Sequence, residues 1–243
     1  LQVAARGVQL KPAFVLGTHV EFVQSAANAA VYMGDLVLTE DEVNPVLLKL
    51  QQGGVRMAAL HNHLLGETPR VMYLHLGGEG EPAQIASAIR AALELSKTPL
   101  AASGGGQDGP VDLDTKQLDQ IIGHAGKANG GVYQFSVPRL EKIRDHGVEL
   151  PPAMGVANAI NFQPTGGGKA AITGDFVLLG GEVNIVSNAL RGNGIDVTAL
   201  HSHGLHEEPR LFYMHFWAND DAVTLAKVLR TALETTNSDR GTR

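Results

Sequence analysis

The chain has 243 residues, a formal net charge of −6 and a calculated pI near 5.9. This acidic balance, without any cluster of Lys and Arg, argues against a nucleic-acid partner. The absence of cysteine excludes disulfides, thiolate metal ligands and a cysteine nucleophile. No apolar run approaches the roughly 18 residues of a membrane-spanning helix, and a hydrophobic content of 44% is that of a globular protein.

Alternating and helical hydrophobic patterns predict the elements of the first half of the chain. In chain order they are strands at 13–22 and 29–38, a helix at 41–51, a β-hairpin at 55–63 and 70–76, and a helix at 82–95. The same patterns recur in the second half. There they predict strands at 154–162 and 170–179, a helix at 183–190, a second hairpin and a helix at 223–233.

The second half of the chain repeats the first at an offset of 140 residues. Between 34–75 and 174–215, 20 of the 42 aligned positions are identical, without a gap. Duplication of one folding unit is the simplest explanation of this similarity. We therefore predict an α+β fold in which two similar units of mixed strands and helices pack as a pseudo-symmetric pair.

A Gly-rich linker at 103–110, with the sequence SGGGQDGP, separates the two units. The predicted domains are therefore residues 1–102 and residues 111–243. The second unit opens with a predicted helix at 113–124 and a strand at 132–137. Their counterparts would precede the given sequence, so the first unit is expected to be incomplete at its N-terminus.

Each hairpin carries a His-x-His pair, a Glu four residues later, a Pro-Arg pair, a Tyr and a closing His. Because side chains two apart on a strand share a face, the three imidazoles of each hairpin are expected to converge near its Glu. This donor set favours zinc, with copper, iron, nickel or manganese as alternatives. The predicted metal ligands are His61, His63 and His75 in the first unit and His201, His203, His206 and His215 in the second.

Other polar residues of the hairpins are candidate catalytic groups. A Glu beside a metal can act as a ligand or general base, and an Arg can hold an anionic group. These candidates are Glu67, Arg70, Tyr73, Glu207, Arg210 and Tyr213. The second site, which adds His206, is expected to be the more competent. The structural alternative is a hydrogen-bond network in which the His, Tyr and Glu side chains satisfy one another.

Three further polar residues recur at the offset, namely Asp35, Glu42 and Asn44. An acidic residue near a helix N-terminus is usually a cap or a partner of the helix dipole. We therefore assign these residues to the helix rather than to the site. His19 has no counterpart at the offset and is regarded as incidental.

These residues also resemble a known family. The segments GDFVLLGGEVN at 174–184 and VTALHSHGLHEEPRLFYMHFWA at 197–218 are similar to the LppY/LpqO family of bacterial proteins. The first copy, with GDLVLTEDEVN and MAALHNHLLGETPRVMYLH, is similar to the same unit. That family includes mycobacterial lipoproteins and other exported proteins and has no established activity. The resemblance covers nearly the whole chain and implies an exported location.

The function that these observations favour is metal-dependent hydrolysis of an envelope or extracellular substrate by an exported protein. The metal would lower the pKa of a bound water molecule, and the partner would be a small molecule or an envelope polymer. Two alternatives remain. One is a copper or iron oxidative enzyme, and the other is a non-catalytic protein that binds a metal or a small ligand.

Overall fold

A computed structural model describes residues 1–100 and 110–241 and shows a mixed α/β fold. Within those residues the helices are α1 Pro12–Val15, α2 Glu40–Gln52, α3 Pro82–Leu93, α4 Thr115–Ile122, α5 Val183–Arg191 and α6 Ala222–Glu234. The strands are β1 Ala4–Ala5, β2 Val8–Gln9, β3 His19–Ala26, β4 Ala29–Thr39, β5 Met57–His61, β6 Glu67–Thr68, β7 Val71–Gly80, β8 Lys127–Asn129, β9 Val132–Pro138, β10 Arg144–Asp145, β11 Val148–Glu149, β12 Ala157–Gly166, β13 Lys169–Leu178, β14 Asp196–His201 and β15 Phe212–Asp221. The predicted linker lies outside the described residues except for Pro110.

Two antiparallel sheets share one strand order, β3-β4-β7-β5 in the first repeat and β12-β13-β15-β14 in the second. Their registers correspond at the 140-residue offset. Asp35 pairs with His75 across β4 and β7, and Asp175 pairs with His215 across β13 and β15. The second sheet continues beyond β12 with β9 and β8, which have no counterpart within residues 1–100. The predicted helices and strands therefore lie close to their observed bounds.

The duplication also includes the N-terminal residues, which the sequence analysis missed. The hairpin β1–β2 corresponds to β10–β11, and in both the backbone turns through a left-handed residue, Arg6 with φ 47° and His146 with φ 48°. The segment GVQLKPA repeats as GVELPPA, which was the available signal. The strand predicted at 13–22 is consequently wrong in its first part, because α1 occupies residues 12–15 and β3 begins only at His19.

Helices cover one face of each sheet, and the other faces meet between the repeats. In the first repeat Val46, Leu50 and Ile89 of α2 and α3 are buried against Leu74 of β7. Helices α4, α5 and α6 cover the second sheet in the same manner. Two smaller apolar clusters contain residues of both repeats and join them. Because Leu74 faces the helices, the alternation of β7 directs His75 toward the other repeat.

Candidate metal centre

The first hairpin gathers its three histidines at the end of β5. His61 closes that strand, and His75 lies in the neighbouring strand β7, so their Nε2 atoms approach to 2.8 Å. His63 follows in the turn, with its ring centroid 5.0 Å from that of His61 and 6.3 Å from that of His75. In the second repeat the ring centroids of His201 and His215 are 4.9 Å apart.

The two sets of histidines form one cluster rather than two separate sites. The rings of His61 and His201 stack with centroids 3.5 Å apart. Two further pairs cross between the repeats in the same way: His63 lies 3.8 Å from His215, and His75 lies 4.0 Å from His203. The ligand candidates of both repeats therefore meet in one group, and the expectation that the second repeat holds the more competent site stays a prediction.

Asp35 and Asp175 join this cluster, although the sequence analysis assigned Asp35 to the helix. Asp35 lies within β4, where its Oδ2 is 3.6 Å from His63 Nε2 and its Oδ1 is 4.0 Å from His75 Nδ1. Asp175 Oδ1 lies 2.9 Å from His215 Nδ1. The missed signal was the repeated Gly-Asp pair inside a predicted strand, since a strand residue cannot cap a helix that begins five positions later.

Burial sets the protonation of the imidazoles. Burial, followed by the Coulomb interaction with His215, lowers the pKa of His61 to about 4 and that of His201 to about 3. Burial likewise holds the pKa values of His63, His75 and His203 well below the usual range. At neutral pH these five rings are therefore uncharged, which is the form that binds metals.

The two carboxyl groups differ in charge. Burial raises the pKa of Asp35 to about 7, and neighbouring Asp175 contributes to the same shift. Burial also disfavours the ionised form of Asp175, but the attraction and hydrogen bonding of His215 outweigh it and lower the pKa of Asp175. At neutral pH the cluster thus contains one fully ionised carboxylate, Asp175, while Asp35 is about half protonated.

Many polar atoms of the cluster have no hydrogen-bond partner among the described residues. They include Nε2 of His201, His203 and His215, both ring nitrogens of His63, and Oδ1 of Asp35. Four groups of three residues place their donor atoms within 4.8 Å of one another. These groups are His61–His75–His201, His61–His63–His215, Asp35–His63–His75 and Asp175–His201–His203. The arrangement can hold a metal ion with ligands from both repeats.

The two hairpin glutamates, Glu67 and Glu207, are buried but belong to none of these four groups. Glu207 Oε1 lies 3.2 Å from Arg210 Nη1. Arg70 is exposed and lies 3.7 Å from Glu40, rather than beside Glu67 as its position in the sequence suggests. The carboxylates that meet the imidazoles therefore come from the central strands and not from the turns.

Two tyrosines support the cluster from behind. Tyr73 stacks on His63 with ring centroids 3.3 Å apart, and Tyr213 stacks on His203 at 3.5 Å. Burial raises the pKa of both phenols well above 10, so they stay protonated. His206 is exposed and lies beside His146, with ring centroids 5.7 Å apart, away from the shared cluster.

A cavity of about 360 Å³ between the repeats reaches the cluster. Polar atoms of the cluster form its inner wall, and Phe14 and Met154 line part of the remainder. The inner wall consists of Asp35, His63, His75, Asp175, His203 and His215. The cluster is thus buried yet accessible from one side.

The family comparison covers most of the chain. The model described as Domain of Unknown Function (DUF1259) matches residues 1–95 and 116–235, which include both repeats. The chain belongs to the DUF1259 family. The expected membership of the LppY/LpqO family is therefore wrong. Among curated proteins, none matches this DUF1259 chain.

Some solved structures show a weak likeness. The ethanolamine utilization protein EutL from Leptotrichia buccalis C-1013-b has 11% identity and a TM-score of 0.25, over 90% of this chain and 91% of its own. EutL from Clostridium perfringens has 10% identity and a TM-score of 0.24, over 90% of both chains. The trimeric bacterial microcompartment shell protein PduB has 14% identity and a TM-score of 0.23, over 88% of this chain and 90% of its own.

These comparisons correct two functional expectations. The exported location depended on the LppY/LpqO resemblance and is withdrawn with it. The expected metal-dependent hydrolase of an envelope substrate assumed that exported location and is withdrawn with it. At TM-scores near 0.25 the likeness transfers no role to the DUF1259 chain. None of the helices in residues 1–100 and 110–241 has the length and apolar character needed to cross a membrane.

Proposed function

We propose that this DUF1259 chain binds a divalent transition-metal ion, zinc in first place, between its two repeats. On this proposal the two repeats form a pseudo-symmetric pair, and the metal site is part of the contact between them. The observation that carries the proposal is the largely buried group of six imidazoles and two carboxyl groups, several of whose donor atoms have no hydrogen-bond partner among the described residues. Copper, iron and manganese accept the same nitrogen and oxygen donors and are tested alongside zinc.

The group His61–His75–His201 has the geometry best suited to a first ion. Its three donor atoms lie within 4.8 Å of one another. Ligand nitrogens at the zinc–nitrogen distance of about 2.0–2.1 Å in a tetrahedron are about 3.3 Å apart. The 2.8 Å between the Nε2 atoms of His61 and His75 is close to that spacing, and small ring rotations reach it. The proposed ion therefore takes two ligands from one repeat and one from the other.

The surroundings of the two ring nitrogens of His215 also support the proposal. Its Nδ1 lies 2.9 Å from the Gly174 carbonyl oxygen and 2.9 Å from Asp175 Oδ1, while its Nε2 has no partner. Metal-ligating histidines typically donate one ring N–H to a carbonyl or carboxylate and bind the ion through the other nitrogen. His215 is thus oriented as a further ligand, and Tyr73 and Tyr213 hold the flanking rings by stacking.

A purely structural network explains the cluster less well. Such a network requires the His, Tyr and Glu side chains to satisfy one another. Among the described residues, however, the Tyr73 hydroxyl and both Glu67 oxygens have no hydrogen-bond partner, and neither does either ring nitrogen of His63. Buried polar groups without partners are costly, and an ion bound by the ring nitrogens of the cluster removes the part of this cost that falls on the histidines.

The test is metal content of protein purified without a metal-affinity tag, followed by Zn²⁺ titration against a chromophoric chelator. His201→Ala and His61→Ala should each weaken binding at least tenfold, since each removes one of three ligands from the proposed ion. His206→Ala and His124→Ala are matched controls, because His206 is exposed, His124 is partly exposed, and both lie outside the four candidate groups. They should bind zinc like the wild type.

Comparison of His61→Ala with His201→Ala tests whether the ion is shared between the repeats. Loss of binding in both His61→Ala and His201→Ala supports a shared ion, whereas loss in only one of them contradicts it. Wild-type protein that binds no transition metal at micromolar concentration would overturn the proposal. A thermal melt of each variant separates loss of a ligand from loss of the fold.

A further inference from the structure

The mouth of the cavity carries a second pair of metal-binding side chains. His19 and Glu21 are two residues apart on β3, so both point to the cavity that they line. His19 Nε2 lies 3.8 Å from Glu21 Oε2, and the His19 side chain is 54% exposed. His19 Nδ1 lies 3.3 Å from the Gly17 carbonyl oxygen, which leaves Nε2 on the side of Glu21. The two donor atoms can bind one ion together.

This outer pair connects directly to the buried cluster. His19 lies opposite Asp35 in the β3–β4 ladder. Asp35 is buried, lines the same cavity and has an unpartnered Oδ1. Its carboxyl oxygens lie 3.6 Å from His63 and 4.0 Å from His75. Metal-binding donor groups therefore line the same cavity from exposed His19 to the buried cluster.

The charge of the cavity favours a cation. Among its described lining residues, carboxyl groups are contributed by Glu21, Asp35 and Asp175, and Lys and Arg are absent. A cleft lined by one sign of charge concentrates ions of the opposite sign and raises their rate of association. Lining of this kind suits a divalent cation and disfavours an anionic ligand.

We propose that His19 and Glu21 form an outer divalent-cation site through which the metal reaches the histidine cluster, an inference that rests on the proposed function. The second repeat has no such site, because the counterparts of these residues are Ala159 and Asn161. The Asn161 side chain instead donates to the Phe14 carbonyl oxygen at 3.1 Å. On this proposal the metal therefore enters the duplicated molecule only along the first repeat.

The test measures loading rate and final affinity separately. Metal-free protein is mixed with Co²⁺ in a stopped-flow instrument at low ionic strength, and the ligand-field absorption of the bound ion is followed. The double variant H19A/E21Q should load roughly tenfold more slowly than wild type, while its final Co²⁺ content and affinity change less than twofold. High salt should reduce the difference, since exposed charges are then screened.

Glu94→Gln is the matched control, because it removes one exposed carboxylate from α3 outside the cavity lining. It should load at the wild-type rate. Equal rates for H19A/E21Q and wild type would overturn the outer site and leave the metal cluster standing. A wild-type protein that takes up no Co²⁺ or Zn²⁺ would overturn both proposals. A lower final Co²⁺ content in H19A/E21Q would also contradict a role confined to loading.

Discussion

The two repeats hold matching residues in matching registers but surround them differently. In the first repeat β3 is an edge strand that exposes His19 and Glu21 at the cavity mouth. In the second repeat the corresponding strand β12 is covered by β9 and carries Ala159 and Asn161 at those positions. The backbone of one unit thus fixes where a side chain lies, whereas the elements packed around each copy decide its charge and its access to solvent.

The glutamates near the start of the next helix show the same difference. Glu42 forms a capping box with Thr39 and also accepts a hydrogen bond from the Lys97 backbone N–H at 2.8 Å. Its counterpart Glu182 accepts the equivalent hydrogen bonds from the backbone N–H groups of Leu179 at 2.7 Å and Asn237 at 2.9 Å. In addition, it forms an ion pair with buried Arg139 at 2.7 Å. Arg139 follows β9, which has no counterpart in residues 1–100. The duplicated carboxylate therefore keeps its backbone partners in both copies and gains an ionic partner only in the second.

Acidification should have the largest effect on stability. It also tests whether the shared cluster couples the unfolding of the two repeats. The folded pKa values of His61 and His201, about 4 and about 3, lie below the usual 6.5. Below pH 6.5 the unfolded chain therefore binds more protons than the folded protein. The contribution of these histidines to the free energy of unfolding is fully present above pH 6.5 and is lost as the pH falls toward 4. We expect metal-free protein to unfold in this window in one cooperative transition, measured by circular dichroism.

Two separate acid transitions would contradict coupling through the cluster. Asp35 acts in the opposite direction, because its pKa of about 7 lies above the usual value and the folded state retains a proton that the unfolded chain loses. Its stabilising contribution is lost as pH rises toward 7. The histidines outnumber it, so the net slope should still be a gain of stability from pH 4 to 6.5.

Arg139→Met should give the next largest effect, a loss of about 3–5 kcal/mol in unfolding free energy. The reason is that Glu141 and Glu182, both largely buried, would lose their shared cation. Glu42→Gln in the first repeat should cost only about 1 kcal/mol, as expected for a weakened helix cap. Urea unfolding measures both. Similar losses would show that the difference between the two carboxylates has no energetic consequence.

Gly174→Ala should destabilise more than Gly34→Ala. A Cβ at Gly174 would clash with the backbone carbonyl of Ala159, which cannot move without shifting β12. At Gly34 the nearest atoms are Val20 Cγ2 at 2.7 Å, which can rotate away, and the His19 carbonyl oxygen at 2.8 Å, which is a milder backbone clash than the one at Gly174. We expect losses of about 3 and about 1 kcal/mol. The reverse order in thermal melts would contradict the closer packing of β12 and β13.

Asparagine substitutions of the two aspartates should give the smallest difference. Asp175→Asn removes an ionised acceptor from His215 and should cost about 2 kcal/mol at pH 7. Asp35→Asn replaces a carboxyl group that is already about half protonated at that pH, and should change stability by less than about 1 kcal/mol. Both are measured on metal-free protein, and equal losses would contradict the unequal ionisation of the pair.

The sequence by itself determined the duplication and most elements. The 140-residue offset predicted matching units, and the strand order and registers of the two sheets correspond as expected. The apolar stripe of α2 and the alternation along β7 are local patterns, so they could be recognised without any knowledge of packing. The same local spacing placed His61, His63 and His75 on one hairpin face.

Only the tertiary structure decided how the two copies meet. Spacing along one strand fixes which side chains share a face, but it does not indicate which face of a distant strand lies opposite. The contacts of His61 with His201 and of His63 with His215 join segments far apart in the chain. They depend on apolar clusters that pack the two sheets together. The histidines of both repeats therefore form one centre because long-range packing places their faces against each other.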